Sequence, residues 1–152
     1  MSRRIVLSYS REDQFEAALL QHWLETRFGA EGVTVWTFER DQRRDEGNVS
    51  RSLKEAIRES AAVVFLLSPF TIEDGAAQWM ELGYADAFGV PTFILLHHLT
   101  HGELMQIQRG VPPLVRQSQC TPAIEWKGME HDLRRRIGLV SDSARGGKGG
   151  SE

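Results

Sequence analysis

The chain has 152 residues, 41% of them hydrophobic and 26% charged, with a formal net charge of −3. That is enough apolar material for one core without metal or disulfide staples, and the mixed charge lacks the basic excess that drives nucleic-acid binding. The single cysteine, Cys120, has no internal disulfide partner, which fits a reducing, cytoplasmic setting. The apolar stretch Val90 to Leu96 is too short to span a bilayer, and the N-terminus shows no apolar run of the export-signal kind.

Ile5-Val6-Leu7 is a short β-type run that ends in Ser8-Tyr9-Ser10. Asp13 or Ser10 is placed to cap a helix in which Phe15, Leu19, Trp23 and Leu24 recur at helical spacing, and Gly29 or Gly32 stops it. Val33 to Phe38 alternates as a second strand. A charged loop, Arg40 to Gly47, leads into a helix from about Val49 with Leu53, Ala56 and Ile57 on one face. Ala62 to Leu67 is a continuous apolar run, as expected of a strand buried on both faces. A helix from about Ala76 to Phe88 and a strand within Val90 to Leu96 follow. Beyond His97 the signals weaken: Leu104 to Ile107 reads as a short helix, Thr121 to Trp126 as an edge strand, and His131 to Leu139 as a closing helix. The Gly-rich tail, residues 141–152, has nothing to bury and reads as disordered, leaving residues 1–140 as one domain.

Short apolar strands alternating with amphipathic helices predict an α/β fold. The expected architecture is a flavodoxin-like three-layer sandwich around a parallel sheet of four or five strands with right-handed crossovers. Ligands in such sheets bind beyond the carboxyl ends of the strands. The rim to inspect is therefore Ser8 to Ser10, Phe38 to Gly47, Ser68 to Gly75 and His97 to His101, with Glu81 early in the following helix.

The string Ile-Val-Leu-Ser-Tyr-Ser-Arg-Glu-Asp at 5–13 is by itself only a strand-to-helix turn. Taken with Gly32-Val33-Thr34-Val35, the loop ending in Gly47, the helix Ser52 to Ser60, Ala62 to Ser68 and Trp79-Met80-Glu81-Leu82-Gly83-Tyr84-Ala85, it resembles a Toll/interleukin-1 receptor (TIR) domain. The resemblance covers residues 4–97, with a looser fit to Trp126. It implies either a scaffold that pairs with other TIR-like domains or an enzyme that cleaves NAD. In the enzymes a glutamate early in the helix after the third strand is catalytic, and Glu81 matches that position. The nicotinamide of NAD leaves as a neutral molecule, so no general acid is required. A carboxylate beside the oxocarbenium-like ribose carbon stabilises the transition state. NAD is then a substrate, and no cofactor is implied. The resemblance further implies NAD and a TIR-like domain as partners, an effector protein or second-messenger receptor downstream, no nucleic acid or membrane, and a bacterial anti-phage role.

With Glu81 as the catalytic residue, the substrate-binding candidates are Ser8, Tyr9, Ser10, Phe38, Asp41, Arg43, Ser68 and Trp79. One departure stands out. Bacterial members commonly carry a tryptophan four residues before the glutamate, where this chain has Ala77. Trp79 lies only two residues before Glu81, on a nearly opposite helical face, which suits a core role. Phe38 is placed to stack on a base, and Arg40, Arg43 and Arg44 to meet a pyrophosphate or a neighbouring subunit. Asp74-Gly75-Ala76-Ala77 followed by Glu81-Leu82-Gly83-Tyr84-Ala85 and Gly89-Val90-Pro91 also looks like the active-site helix of nucleoside 2-deoxyribosyltransferases, whose glutamate attacks the sugar carbon. His97, His98 and His101 have no HExxH pattern and no cysteine nearby, so no metal is expected. No GxGxxG loop, GxxxxGK[ST] loop or Gly-x-Ser-x-Gly elbow is present.

Overall fold

The structure, a computed structural model, describes residues 3–37, 49–74, 76–107, 115, 120–122 and 126–138. The expectations for Phe38, Asp41, Arg43 and the tail 141–152 fall outside these residues. Along the chain the elements are β1 (Arg3–Tyr9), α1 (Gln14–Phe28), β2 (Val33–Thr37), α2 (Val49–Arg58), β3 (Ala62–Leu67), α3 (Pro69–Asp74), α4 (Ala76–Ala87), β4 (Thr92–Leu96), α5 (His101–Gln106), β5 (Cys120–Pro122) and α6 (Trp126–Arg136).

The five strands form one sheet in the order β2-β1-β3-β4-β5, and every pairing is parallel. This is the flavodoxin-type order, whose direction of winding reverses between β1 and β3 and leaves a crevice at their carboxyl ends. Register places Ser8 opposite Phe65 and Tyr9 opposite Leu66, so the Ser-Tyr-Ser turn and the end of β3 share that crevice.

All six residues of β3 are buried, which explains their unbroken apolar run. Alternate residues feed two cores. Ile5, Leu7, Val64, Leu66 and Leu95 pack with Leu24, Phe28, Met129 and Leu133 on the α1/α6 side. Val6, Val63, Phe65, Leu67 and Ile94 pack with Leu53, Ile57, Leu82 and Leu104 on the other. Each fully buried large side chain contributes about 1.5–3 kcal/mol. Turns follow from local chemistry. Gly32, with φ +81°, and Gly89, with φ +68°, take the left-handed conformation before β2 and after α4. Thr100 and Glu103 form a reciprocal capping box that starts α5.

Several expectations change. Neither Ser10 nor Asp13 caps α1: the Ser10 hydroxyl donates to Glu12, and the Asp13 side chain leaves the helix for Ser68. Phe15 and Leu19 are exposed, while Ala17, Leu24 and Phe28 form the buried stripe of α1. Among the described residues the edge strand comprises Cys120–Pro122, and Trp126 opens the last helix instead of ending a strand. No helix among the described residues is long and apolar enough to cross a membrane.

Candidate active site

Glu81 lies in the second turn of α4, on the stripe that packs against the sheet, and is 8% exposed. Its carboxyl faces Ser8, the inward residue at the carboxyl end of β1. Burial pushes the Glu81 pKa up from its ordinary value to about 7, and the Ser8 hydroxyl pulls it part of the way back. The contact nevertheless falls outside hydrogen-bond geometry. Among the described residues, Ser8 Oγ is the one buried side-chain polar atom without a hydrogen-bond partner. A buried hydroxyl normally finds a partner. Beside a buried carboxyl at the switch point of the sheet, it gives the crevice an unused donor and an acid poised near neutrality.

A chain of buried hydrogen bonds supports this corner. The Ser68 hydroxyl donates to Asp13 Oδ2. The Ser68 backbone N–H donates to Thr71 Oγ1 at 3.2 Å, the Thr71 hydroxyl donates to Gln78 Oε1 at 2.8 Å, and Gln78 Nε2 donates to the Leu66 carbonyl at 3.2 Å. Asp13, Ser68, Thr71 and Gln78 are all at most 3% exposed. Ser68 therefore ties the start of α1 to the end of β3.

The remaining candidates separate. Tyr9 points to the opposite face of the sheet and packs against the α1/α6 core. Trp79 packs against the α2/α4 core, the role its spacing from Glu81 favours. Ser10 is buried and bonded to Glu12. Of the described substrate-binding candidates, the structure brings Ser8 to Glu81.

On the opposite face of the sheet from Glu81, a cleft of about 290 Å³ is lined by Glu16, Leu20, Trp23, Leu66, Leu95 and His97. Asp13, Glu16 and His97 bring one ligand atom each within 4.8 Å of one another. Asp13 is already committed to Ser68, and His97 Nε2 lies 3.6 Å from Glu16 Oε1, an ion pair when the imidazole is protonated.

A family profile for the TIR domain matches residues 5–123, most of the chain. The chain is a member of the TIR domain family. Among solved structures, this TIR domain is similar to the TIR domain of a Toll-related receptor from Hydra magnipapillata. The TM-score is 0.63 at 14% identity, over 86% of this chain and 97% of that one. It is similar to the same degree to a 2-desoxiribosyltransferase from Leishmania mexicana, with TM-score 0.63 and 18% identity over 87% of this chain and 97% of that one. At these identities the likeness concerns the fold alone. No curated protein matches the chain.

Proposed function

We propose that this TIR domain is an NAD glycohydrolase. The observation that carries the reading is the buried Glu81 carboxyl facing the unpartnered Ser8 hydroxyl at the β1/β3 switch point. In the proposed reaction the bond between the nicotinamide ring nitrogen and ribose C1′ breaks. The electron pair leaves with nicotinamide, neutralising the pyridinium. The oxocarbenium-like C1′ is stabilised by ionised Glu81, with Ser8 free to bond a ribose hydroxyl. Water then adds to C1′ and loses a proton, giving ADP-ribose. A nucleophile within ADP-ribose or on another molecule gives instead a cyclic or conjugated signal. Such a signal suits a cytoplasmic anti-phage pathway acting on an effector or receptor protein, a step that rests on family association.

The test is incubation of purified protein with NAD and identification of the products. Glu81→Gln keeps the size and removes the charge, so nicotinamide release falls at least ~10²-fold, mainly in kcat. Unaltered release in this variant refutes the assignment. Two other readings have support. The likeness to the deoxyribosyltransferase favours base exchange on deoxynucleosides, with Glu81 as nucleophile. The likeness to the receptor domain favours a non-catalytic module that pairs with another TIR domain. The first predicts reaction with deoxynucleosides and none with NAD; the second predicts indifference to Glu81→Gln.

A further inference from the structure

We propose that Gln78, clamped between Thr71 and the Leu66 carbonyl, is the positioning residue that holds Glu81 against Ser8. Its functional consequence rests on the glycohydrolase reading; its structural part does not.

Gln78, Leu82 and Ala85 are all buried, at spacings of four and three residues along α4, so Gln78 occupies a core-facing position of the helix. An amide there must find partners on both its oxygen and its nitrogen. It does so by accepting from Thr71 in α3 and donating to the Leu66 carbonyl near the carboxyl end of β3. Thr71 is in turn held by the Ser68 backbone N–H. The amide thus fixes the first turn of α4 to β3 along two directions, setting both the height and the rotation of the helix.

Glu81 is three residues further on, about one turn and ~4.5 Å along the axis. Among the described residues no hydrogen bond or ion pair holds its carboxyl. Ser8, its polar neighbour, lies outside bonding geometry. The placement of the carboxyl is therefore inherited from α4, and among the described residues the Gln78 clamp is the polar side-chain contact that anchors this end of the helix. Gln78 itself is committed on both ends to protein groups, so it does not touch substrate. It acts through Glu81.

Two variants separate positioning from bulk stability. Gln78→Leu removes both polar ends of the clamp. Thr71→Val removes one hydroxyl at nearly constant shape, and Thr71→Ser restores it. The first readout needs no activity: titration of the Glu81 side-chain carboxyl by carbon-13 NMR in the full chain. In the wild type it titrates near 7. In Gln78→Leu and Thr71→Val the midpoint moves towards the ordinary carboxylate range as the carboxyl shifts into water, and Thr71→Ser returns it. The second readout is nicotinamide release. kcat falls ~10-fold or more in the two disruptive variants with KM within ~2-fold, the pattern of a misplaced reacting group, and Thr71→Ser recovers it. A Glu81 midpoint unchanged in folded Gln78→Leu or Thr71→Val overturns the proposal. Failure of both variants to fold also overturns it, because the pair then serves stability alone. If the wild type releases no nicotinamide, the glycohydrolase reading fails while the titration still decides the positioning.

Discussion

Replacing Glu81 by glutamine removes a buried negative charge with little change in shape, and the cost of that charge is readable from the site. Burial raises the Glu81 pKa from 4.5 to about 7. The native state therefore favours the neutral acid, while the unfolded chain ionises near the ordinary value. Below pH 4.5 both states hold the proton and Glu81 imposes no electrostatic cost. Between pH 4.5 and about 7 the unfolded state gives up its proton first, and stability falls as pH rises. Above that window the full difference applies, about 3 kcal/mol. Glutamine has no such term. The stability gained by Glu81→Gln over wild type is expected to grow from less than ~1 kcal/mol at pH 5 to ~3 kcal/mol at pH 8. Urea unfolding of both proteins at pH 5, 6, 7 and 8 measures it, because effects of pH on all other groups cancel in the difference. Curves that stay parallel across this range refute the reasoning. The variant that loses activity is thus expected to be the more stable protein at alkaline pH.

Other outcomes follow from the same geometry. Nicotinamide release, read as kcat/KM, is expected to rise with pH through a midpoint near 7, as free Glu81 ionises; a profile flat from pH 5.5 to 8.5 contradicts this. Ser8→Ala removes the one hydroxyl that lowers the Glu81 pKa, so the same midpoint shifts to higher pH; no shift places Ser8 away from the carboxyl. Arg134 is 7% exposed, bonds both oxygens of Glu31 at 2.8 and 2.9 Å and stacks over Phe28. Arg134→Ala leaves the half-buried Glu31 carboxylate without this partner and is expected to cost about 1–3 kcal/mol in chemical denaturation, with a loss under ~0.5 kcal/mol as the refuting result. Arg43 and Arg44 fall outside the described residues, in a segment whose sequence predicts a charged rim loop; neutralising both is expected to weaken self-association and concentration-dependent activity while leaving the unfolding midpoint nearly unchanged. Specific activity that is flat from nanomolar to high-micromolar protein counts against the association.

The sheet was legible in the sequence because strands buried on both faces read as short, continuous apolar runs rich in β-branched residues and bounded by polar or turn residues. Ala62 to Leu67 carries no polar residue, and all six are buried. Helix α1 was harder. Phe15 and Leu19 share helical spacing with Trp23, but spacing alone does not say where the sheet ends. α1 begins beside the carboxyl ends of the strands, where Leu19 borders the open cleft and the flat sheet face is no longer beneath it. The sequence offers Asp13 or Ser10 as the cap because a cap and a long-range acceptor use the same residue types; the partner of Asp13, Ser68, is 55 residues away. Gln78 carries a signal of its own in the sequence. With Leu82 and Ala85 it falls on the core-facing stripe of α4, and a polar residue in that phase needs a partner. Ser8 and Glu81 were both named from the sequence, yet their juxtaposition depends on the β1/β3 neighbour relation, which the order of elements alone does not reveal.

The equal likeness to a TIR receptor domain and to a deoxyribosyltransferase means that shape does not separate the readings of Glu81. On the proposed glycohydrolase reading, electrostatics supplies a distinction. A carboxyl whose pKa stands at about 7 is close to half-protonated in the free protein at neutral pH. A neutral nucleoside brings no charge with it, and binding it would exclude water and favour the inert protonated acid further. The pyridinium of NAD brings a fixed positive charge next to the reacting carbon, which favours the ionised form as the substrate enters. That charge disappears as nicotinamide leaves and reappears on the ribose carbon, so the carboxylate keeps a cationic partner from bound substrate through the transition state. On the glycohydrolase reading, a buried glutamate without a permanent counter-ion among the described residues suits a substrate that supplies the counter-ion itself.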